Sequence, residues 1–139
     1  VGIFSFIYGR AGGDTQFCAA FSGLFAMIGH AFPVWYSFSG GKGFLVYMSV
    51  IWFVDWHAGA VALAIMLTLL FTARYMSLAT MCAVISTPFT LVIGGYAGAG
   101  AVLMCALQAA FIVVRHRGNI SRLMKKEESK FYLRSKNAA

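Results

Sequence analysis

The sequence predicts an all-α integral membrane protein: a polytopic bundle of about five short transmembrane helices plus a basic interfacial C-terminal helix. Three observations predict it. Of 139 residues, 60% are hydrophobic and 11% charged, and mean hydropathy is +0.79; soluble domains carry roughly a quarter charged residues. Disorder is excluded, because it requires low hydrophobicity and high charge. Long stretches (15–41, 43–54, 56–73 and 75–114) contain no Asp, Glu, Lys or Arg. The basic excess is confined to one end: residues 1–114 have a net charge of +1 and residues 115–139 a net charge of +6. Such a tail beside membrane spans reads as a topology and lipid signal rather than a nucleic-acid site.

The first uncharged run gives a span over about Gln16–Gly29, the second over Phe44–Val54 and the third over Ala58–Ala73. The last run is too long for one crossing, which needs about 20 residues. Pro88 and the cluster Gly94, Gly95, Gly98 and Gly100 interrupt it, so it divides into Met76–Ile93 and Ala99–Val114 with a turn near Gly95–Gly98. Phe44–Val54 is the shortest; 12 helical residues rise only about 18 Å. It crosses only in a thinned bilayer or with an extension through the Asp55–His57 turn. Backbone satisfaction in lipid requires helices or a closed barrel, and no alternating polar–apolar strands are present. Cys18, Cys82 and Cys105 each lie in apolar sequence without C-x-x-C spacing, which predicts reduced, buried thiols.

Parity follows from the tail. With the tail cytoplasmic, Arg115, Arg74 and Lys42 fall inside, while Asp55 and Asp14 fall outside; Arg10 is the exception. Residues 1–117 form the membrane domain, with a cytoplasmic Gly-Gly-Lys-Gly loop at 40–43, and 118–139 the basic interfacial tail. The Lys42 loop and the segment from Arg115 emerge on one face and can converge.

Two stretches could carry chemistry. Phe38-Ser39-Gly40-Gly41-Lys42-Gly43 places three glycines and a lysine just before a helix. Such a loop can aim N–H groups at an anion, with the helix N-terminus and a compact ammonium adding positive charge. It is not a Walker A motif, since no Ser or Thr follows Lys42. A flexible loop whose lysine marks topology fits equally well. In Arg115-His116-Arg117-Gly118-Asn119-Ile120-Ser121-Arg122-Leu123, a continuous helix would put Arg115, Asn119 and Arg122 on one face. His116 could hold or pass a proton, and Asn119 could donate to an oxyanion; a basic stop-transfer cluster is the alternative. Beyond it, Ile120, Leu123, Met124 and Phe131 among Lys125, Lys126, Lys130 and Arg134 suit an interfacial helix. His57, Trp35, Tyr36 and Tyr75 read as interfacial residues, and Arg74 as a snorkelling cation or a phosphate contact. The histidines are too scattered for a metal site.

Four motifs in order resemble one family: Gly29-His30-Ala31-Phe32-Pro33-Val34, then Gly40-Gly41-Lys42-Gly43, then Thr72-Ala73-Arg74-Tyr75-Met76-Ser77-Leu78, and His116 through Lys130. Their order and spacing are similar to the acyl-phosphate-dependent glycerol 3-phosphate acyltransferase (PlsY) family, whose tail motif reads H-R-x-N-I-x-R-L-x-x-G-x-E-x-K. Two departures stand out. Phe44-Leu45-Val46 replace the small residues and Thr that usually follow G-G-K-G, and Lys126 occupies the tail glycine. The family begins with two further spans bearing a G-S-x-P motif and a Gly/Asn-rich loop with Ser and Arg. The resemblance therefore implies a chain lacking the family's N-terminal third. It further implies a bacterial inner-membrane enzyme with a cytoplasmic C-terminus. That enzyme would move an acyl group from acyl phosphate to glycerol 3-phosphate, making lysophosphatidic acid, with no metal or other cofactor. On this resemblance Gly40, Gly41, Lys42, Gly43 and Arg122 would bind substrate, and His116 and Asn119 would be catalytic. A non-catalytic transporter or assembly subunit, or a truncated inactive relative, is the competing reading.

Overall fold

The computed structural model describes residues 2–3, 6–7, 13–38 and 40–132. Arg10, Ser39 and Arg134 lie outside the described residues. From Thr15 onward the elements are α1 (Thr15–Ala31), a 3-10 turn (Val34–Tyr36), α2 (Phe44–Val54), α3 (Trp56–Thr72), α4 (Met76–Gly94), α5 (Ala99–Arg115) and α6 (Arg117–Met124). No strand occurs among the described residues. The five apolar runs of the sequence match α1–α5 to within two residues at every end.

Short polar caps set the boundaries. Asp14 opens α1 by accepting from the N–H groups of Gln16 and Phe17, each at 3.0 Å. Asp55 is the whole connection between α2 and α3: its N–H donates to the Ile51 carbonyl at 2.8 Å, and its carboxylate accepts from Ala58 N–H at 2.9 Å. Gly95 closes α4 in the left-handed region, φ +63°, where a side chain would be strained. Pro88 sits inside α4 without breaking it. Its missing N–H would leave the Val84 carbonyl orphaned, and the Thr87 hydroxyl donates to that oxygen instead, at 2.8 Å. Tyr47 O–H then donates to Thr87 Oγ1, tying α2 to α4.

Adjacent helices pack as neighbours, most extensively α3 on α4, with α1 also meeting α5. The interior is made of small residues, among them Ala19, Ala20, Ala58, Ala62, Ala79, Ala83 and Ala101, all 0% exposed. They let backbones approach closely, as in membrane bundles; a Cβ on Gly23 would collide with the Val50 side chain. Met27, Tyr47, Ile51, Leu91 and Ile112, also 0% exposed, fill the remaining core, while many other large apolar residues point outward: Phe25, Phe53, Phe71, Phe89, Val92, Ile93 and Leu103 are all more than half exposed. Apolar exposure on that scale fits a lipid-facing exterior. Among the described residues, α4 is the one helix long and apolar enough by itself to cross a bilayer, and α5 with α6 passes only as a bent pair.

The grouping of charges expected on either side of the bundle is visible as two polar ends. At one end, Gln16 Nε2 donates to the carbonyls of Val54 (2.9 Å) and Tyr96 (2.6 Å), gathering the α1 start, the Asp55 junction and the Gly95–Gly98 turn. His57 stacks on Tyr96 there, with ring centroids 4.4 Å apart. Lys42, Arg74 and the segment after Arg115 meet at the other.

Two expectations about the tail need correction. The chain bends by 57° between α5 and α6, so Arg115, Asn119 and Arg122 do not share one helical face; Arg115 turns to the Gly40 and Gly41 carbonyls, while Asn119 and Arg122 both turn to Glu128. The interfacial helix ends at Met124, short of Phe131. It stops in a left-handed turn at Lys126, φ +59°. There the N–H groups of Lys126 and Glu127 donate to the carbonyls of Leu123 (3.1 Å) and Arg122 (2.8 Å). Residues 127–132 then run back along the start of α4, where Phe131 N–H donates to the Arg74 carbonyl at 2.6 Å. Lysine in that turn costs about 1 kcal/mol relative to glycine. Lys126→Gly is therefore expected to raise the melting temperature of the detergent-solubilised protein by about 2–4 °C; no rise would show that the turn is unstrained.

Candidate active site at the basic end

Residues 41–43, the start of α4, the α5–α6 bend and the returning tail line an open cavity of about 440 Å³. Its polar wall holds His30, Gly41, Lys42, Gly43, Ser77, Thr80, His116, Asn119, Glu128 and Ser129; Phe44, Leu45 and Met76 form an apolar side. Lys42 Nζ donates to Asn119 Oδ1 at 2.7 Å, across 77 residues of sequence. The two stretches singled out by sequence thus meet in space.

The loop geometry follows from its glycines. Gly43 takes φ +86° and caps α2 without a side-chain hydrogen bond, leaving the first-turn N–H groups of that helix unsatisfied by any cap. A Cβ on Gly41 would strike the His30 imidazole, and one on Gly40 the His30 carbonyl. The Gly40 N–H is spent on the Ala31 carbonyl, at 3.2 Å, and Gly40 does not line the cavity.

His116 lies at the bend and is 3% exposed. Its Nδ1 is 2.8 Å from the Ile112 carbonyl. A carbonyl only accepts, so Nδ1 carries the proton and Nε2 is left as a base in the neutral ring. Burial lowers the His116 pKa. The bond to Ile112 opposes that shift, the Lys42 charge adds to it, and Glu128 opposes it. The ring is therefore neutral at pH 7.

Sequence reasoning assigned no role to the group that orders this cluster. Glu128 Oε1 accepts from Ser77 Oγ and Asn119 Nδ2, each at 2.7 Å, and Oε2 accepts from Arg122 Nε at 2.7 Å. Burial would raise the Glu128 carboxyl. The hydrogen bonds from Asn119, Ser77 and Arg122, with the Arg122 charge, outweigh burial and hold it at about 2. Glu128 is ionised at every physiological pH. It fixes the Asn119 amide with Oδ1 towards Lys42, so a row of polar groups runs Arg122–Glu128–Asn119–Lys42. Arg122 itself is half exposed and does not line the cavity. Ser77 and Glu128 fall inside the matched motifs, which is the signal that marks them. Their 51-residue separation hides the contact.

Arg74 also stays outside the cavity, with its guanidinium 5.8 Å from the Tyr132 ring. Trp35 is 91% exposed on the 3-10 turn, and His57 is at the far end of the bundle.

The glycerol-3-phosphate acyltransferase family profile matches residues 1–126. A glycerol-3-phosphate acyltransferase of Brucella anthropi is 39% identical over 121 residues, covering 87% of this chain and 58% of that protein. One from Caulobacter vibrioides is 41% identical over 113 residues, covering 80% and 50%. The crystal structure of PlsY, an integral membrane glycerol 3-phosphate acyltransferase, in its glycerol 3-phosphate form superposes with a TM-score of 0.77 at 34% identity, covering 81% of this chain and 56% of that one. The chain spans about half the length of the curated relatives it matches.

Proposed function

Because the chain belongs to the glycerol-3-phosphate acyltransferase family, we propose that its basic-end cavity grips phosphate and takes part in acyl transfer from an acyl phosphate to the 1-hydroxyl of glycerol 3-phosphate. The product is lysophosphatidic acid. The observation that carries the reading is the 2.7 Å contact of Lys42 with Asn119, which sets a fixed cation beside the His116 base. The protein sits in the bacterial plasma membrane with the basic end cytoplasmic, where the anionic groups of both substrates are found.

An acyl phosphate is a mixed anhydride, so no protein nucleophile is needed. The substrate hydroxyl attacks the acyl carbon and gives its proton to His116 Nε2. The C–O bond to phosphate then breaks, and phosphate leaves with the bonding pair. Lys42 has two ammonium hydrogens beyond the one held by Asn119. These, with the N–H groups of Gly41 and Gly43 and the start of α2, stabilise phosphate charge. Asn119 orients Lys42, and its second Nδ2 hydrogen can reach the tetrahedral oxyanion. Arg122 serves the substrate through Glu128, and Gly40 through the shape of the loop. Phe44, Leu45 and Met76 meet the acyl end. An apolar groove of about 360 Å³ between α4 and α5, lined by Ile85, Pro88, Ala109 and Val113, suits a hydrocarbon chain.

A transporter reading is less well supported: among the described helices no Asp, Glu, Lys or Arg precedes Arg115, whereas ionisable groups within spans usually mark a transport path. The direct test is reconstitution of the 139-residue chain in liposomes with palmitoyl phosphate and radiolabelled glycerol 3-phosphate. Labelled lysophosphatidic acid is the expected product. The absence of both product formation and saturable glycerol 3-phosphate binding would overturn the proposal.

A further inference from the structure

Arg115 is the last residue of α5 and does not line the cavity. Its Nη2 lies 3.1 Å from the Gly41 carbonyl, 3.2 Å from the Gly40 carbonyl and 3.4 Å from the Ala31 carbonyl. The guanidinium also sits 5.1 Å from the Phe32 ring centroid, and Phe32 in turn meets Phe111 of α5 edge-on at 6.3 Å. One planar cation is thus seated on an aromatic ring and spends itself on backbone oxygens.

The peptide bond dictates what that does. In a planar trans peptide the C=O and the following N–H point in opposite directions. Drawing the Gly40 oxygen towards Arg115 turns the Gly41 N–H away from it, and drawing the Gly41 oxygen turns the Lys42 N–H away. Gly41 and Lys42 both line the cavity, and Arg115 stands outside it. The geometry points to Arg115 as a positioning residue: it pulls the loop carbonyls outward and so presents the Gly41 and Lys42 amides to the anion. Without it, those carbonyls are free to turn inward, where they would repel phosphate. The inference rests on the phosphate-binding reading of the cavity proposed above.

A direct role for Arg115 as the anion's own cation is disfavoured by its position and by its three carbonyl partners. Lysine at 115 would keep the charge but lose the flat face that seats the guanidinium over Phe32 and aims Nη2 at the carbonyls.

The test uses the full chain in detergent micelles, with 15N-labelled glycine and lysine, titrated with glycerol 3-phosphate. In the wild type the Gly41, Lys42 and Gly43 amide resonances are expected to move downfield. In Arg115→Gln the Gly41 and Lys42 responses should be lost while Gly43 still moves, with binding weakened about tenfold. Arg115→Lys should behave like Arg115→Gln, and it provides a second folded variant should the first melt early. If the wild-type amides do not move, the phosphate-binding reading fails and this inference falls with it. If the wild type responds and both variants respond identically, the cavity reading stands and Arg115 is excluded. Full recovery in Arg115→Lys would reduce Arg115 to a diffuse charge and equally overturn the inference.

Discussion

Lys42→Ala is expected to lower kcat/KM for acyl transfer by about a hundredfold or more, the usual scale for deleting one preorganised charge-stabilising donor. The reason is local. Lys42 is the one cation lining the cavity among the described residues, and Asn119 holds its ammonium at 2.7 Å while leaving two hydrogens for substrate. Both proposed substrates are anions, and phosphate would gain negative charge as it leaves, so the loss should fall on kcat as well as KM. The side chain is exposed, so the melting temperature should stay within a few degrees of wild type. Unchanged turnover would remove Lys42 from the site, and a collapsed melting temperature would turn it into a structural residue. Lys42→Arg is expected to recover little, because a planar fork cannot occupy the place of a compact ammonium beside Asn119.

His116→Ala is expected to cost about a hundredfold to ten-thousandfold in kcat, the range of a positioned general base. The wild-type pH profile supplies the sharper measurement. Burial lowers the His116 pKa, so the neutral base persists at neutral pH and is lost only when pH falls below that lowered value. The acid limb should lie below the usual histidine midpoint of about 6.5 and vanish in His116→Ala. Glu128, held at about 2, is too acidic to produce a limb in that region. A limb surviving the substitution, or one lying above the usual histidine midpoint, would assign proton transfer to another group, such as a substrate phosphate oxygen.

The helices were legible because hydrocarbon admits few charges: Lys42, Asp55 and Arg74 each fall at a junction, and the glycine cluster divides the last run where Gly95 turns. The convergence of Lys42 with the His116–Asn119 stretch was legible from parity alone. The bend at His116 was not. Helical periodicity assumes a straight axis, and here Arg115 turns to the Gly40–Gly41 carbonyls while Asn119 turns to Lys42 and Glu128. The spending of the Gly40 amide on Ala31 was hidden for a similar reason, since a glycine-rich string does not say which amides are already occupied. Lys126 was the opposite case. Its departure from the family glycine was visible in sequence, and its left-handed φ explains why glycine suits that place.

The Tyr47–Thr87–Pro88 arrangement also bears on the ancestry of the chain. Positions 87 and 88 cannot drift independently. A lineage that first trades Pro88 for alanine restores an ordinary donor to the Val84 oxygen, and position 87 then need only keep an acceptor for Tyr47. The opposite order, valine at 87 while the proline stays, strands a carbonyl in hydrocarbon and also deprives Tyr47 of its acceptor. The contacts therefore favour one order of change at these neighbouring codons, set by one absent amide hydrogen.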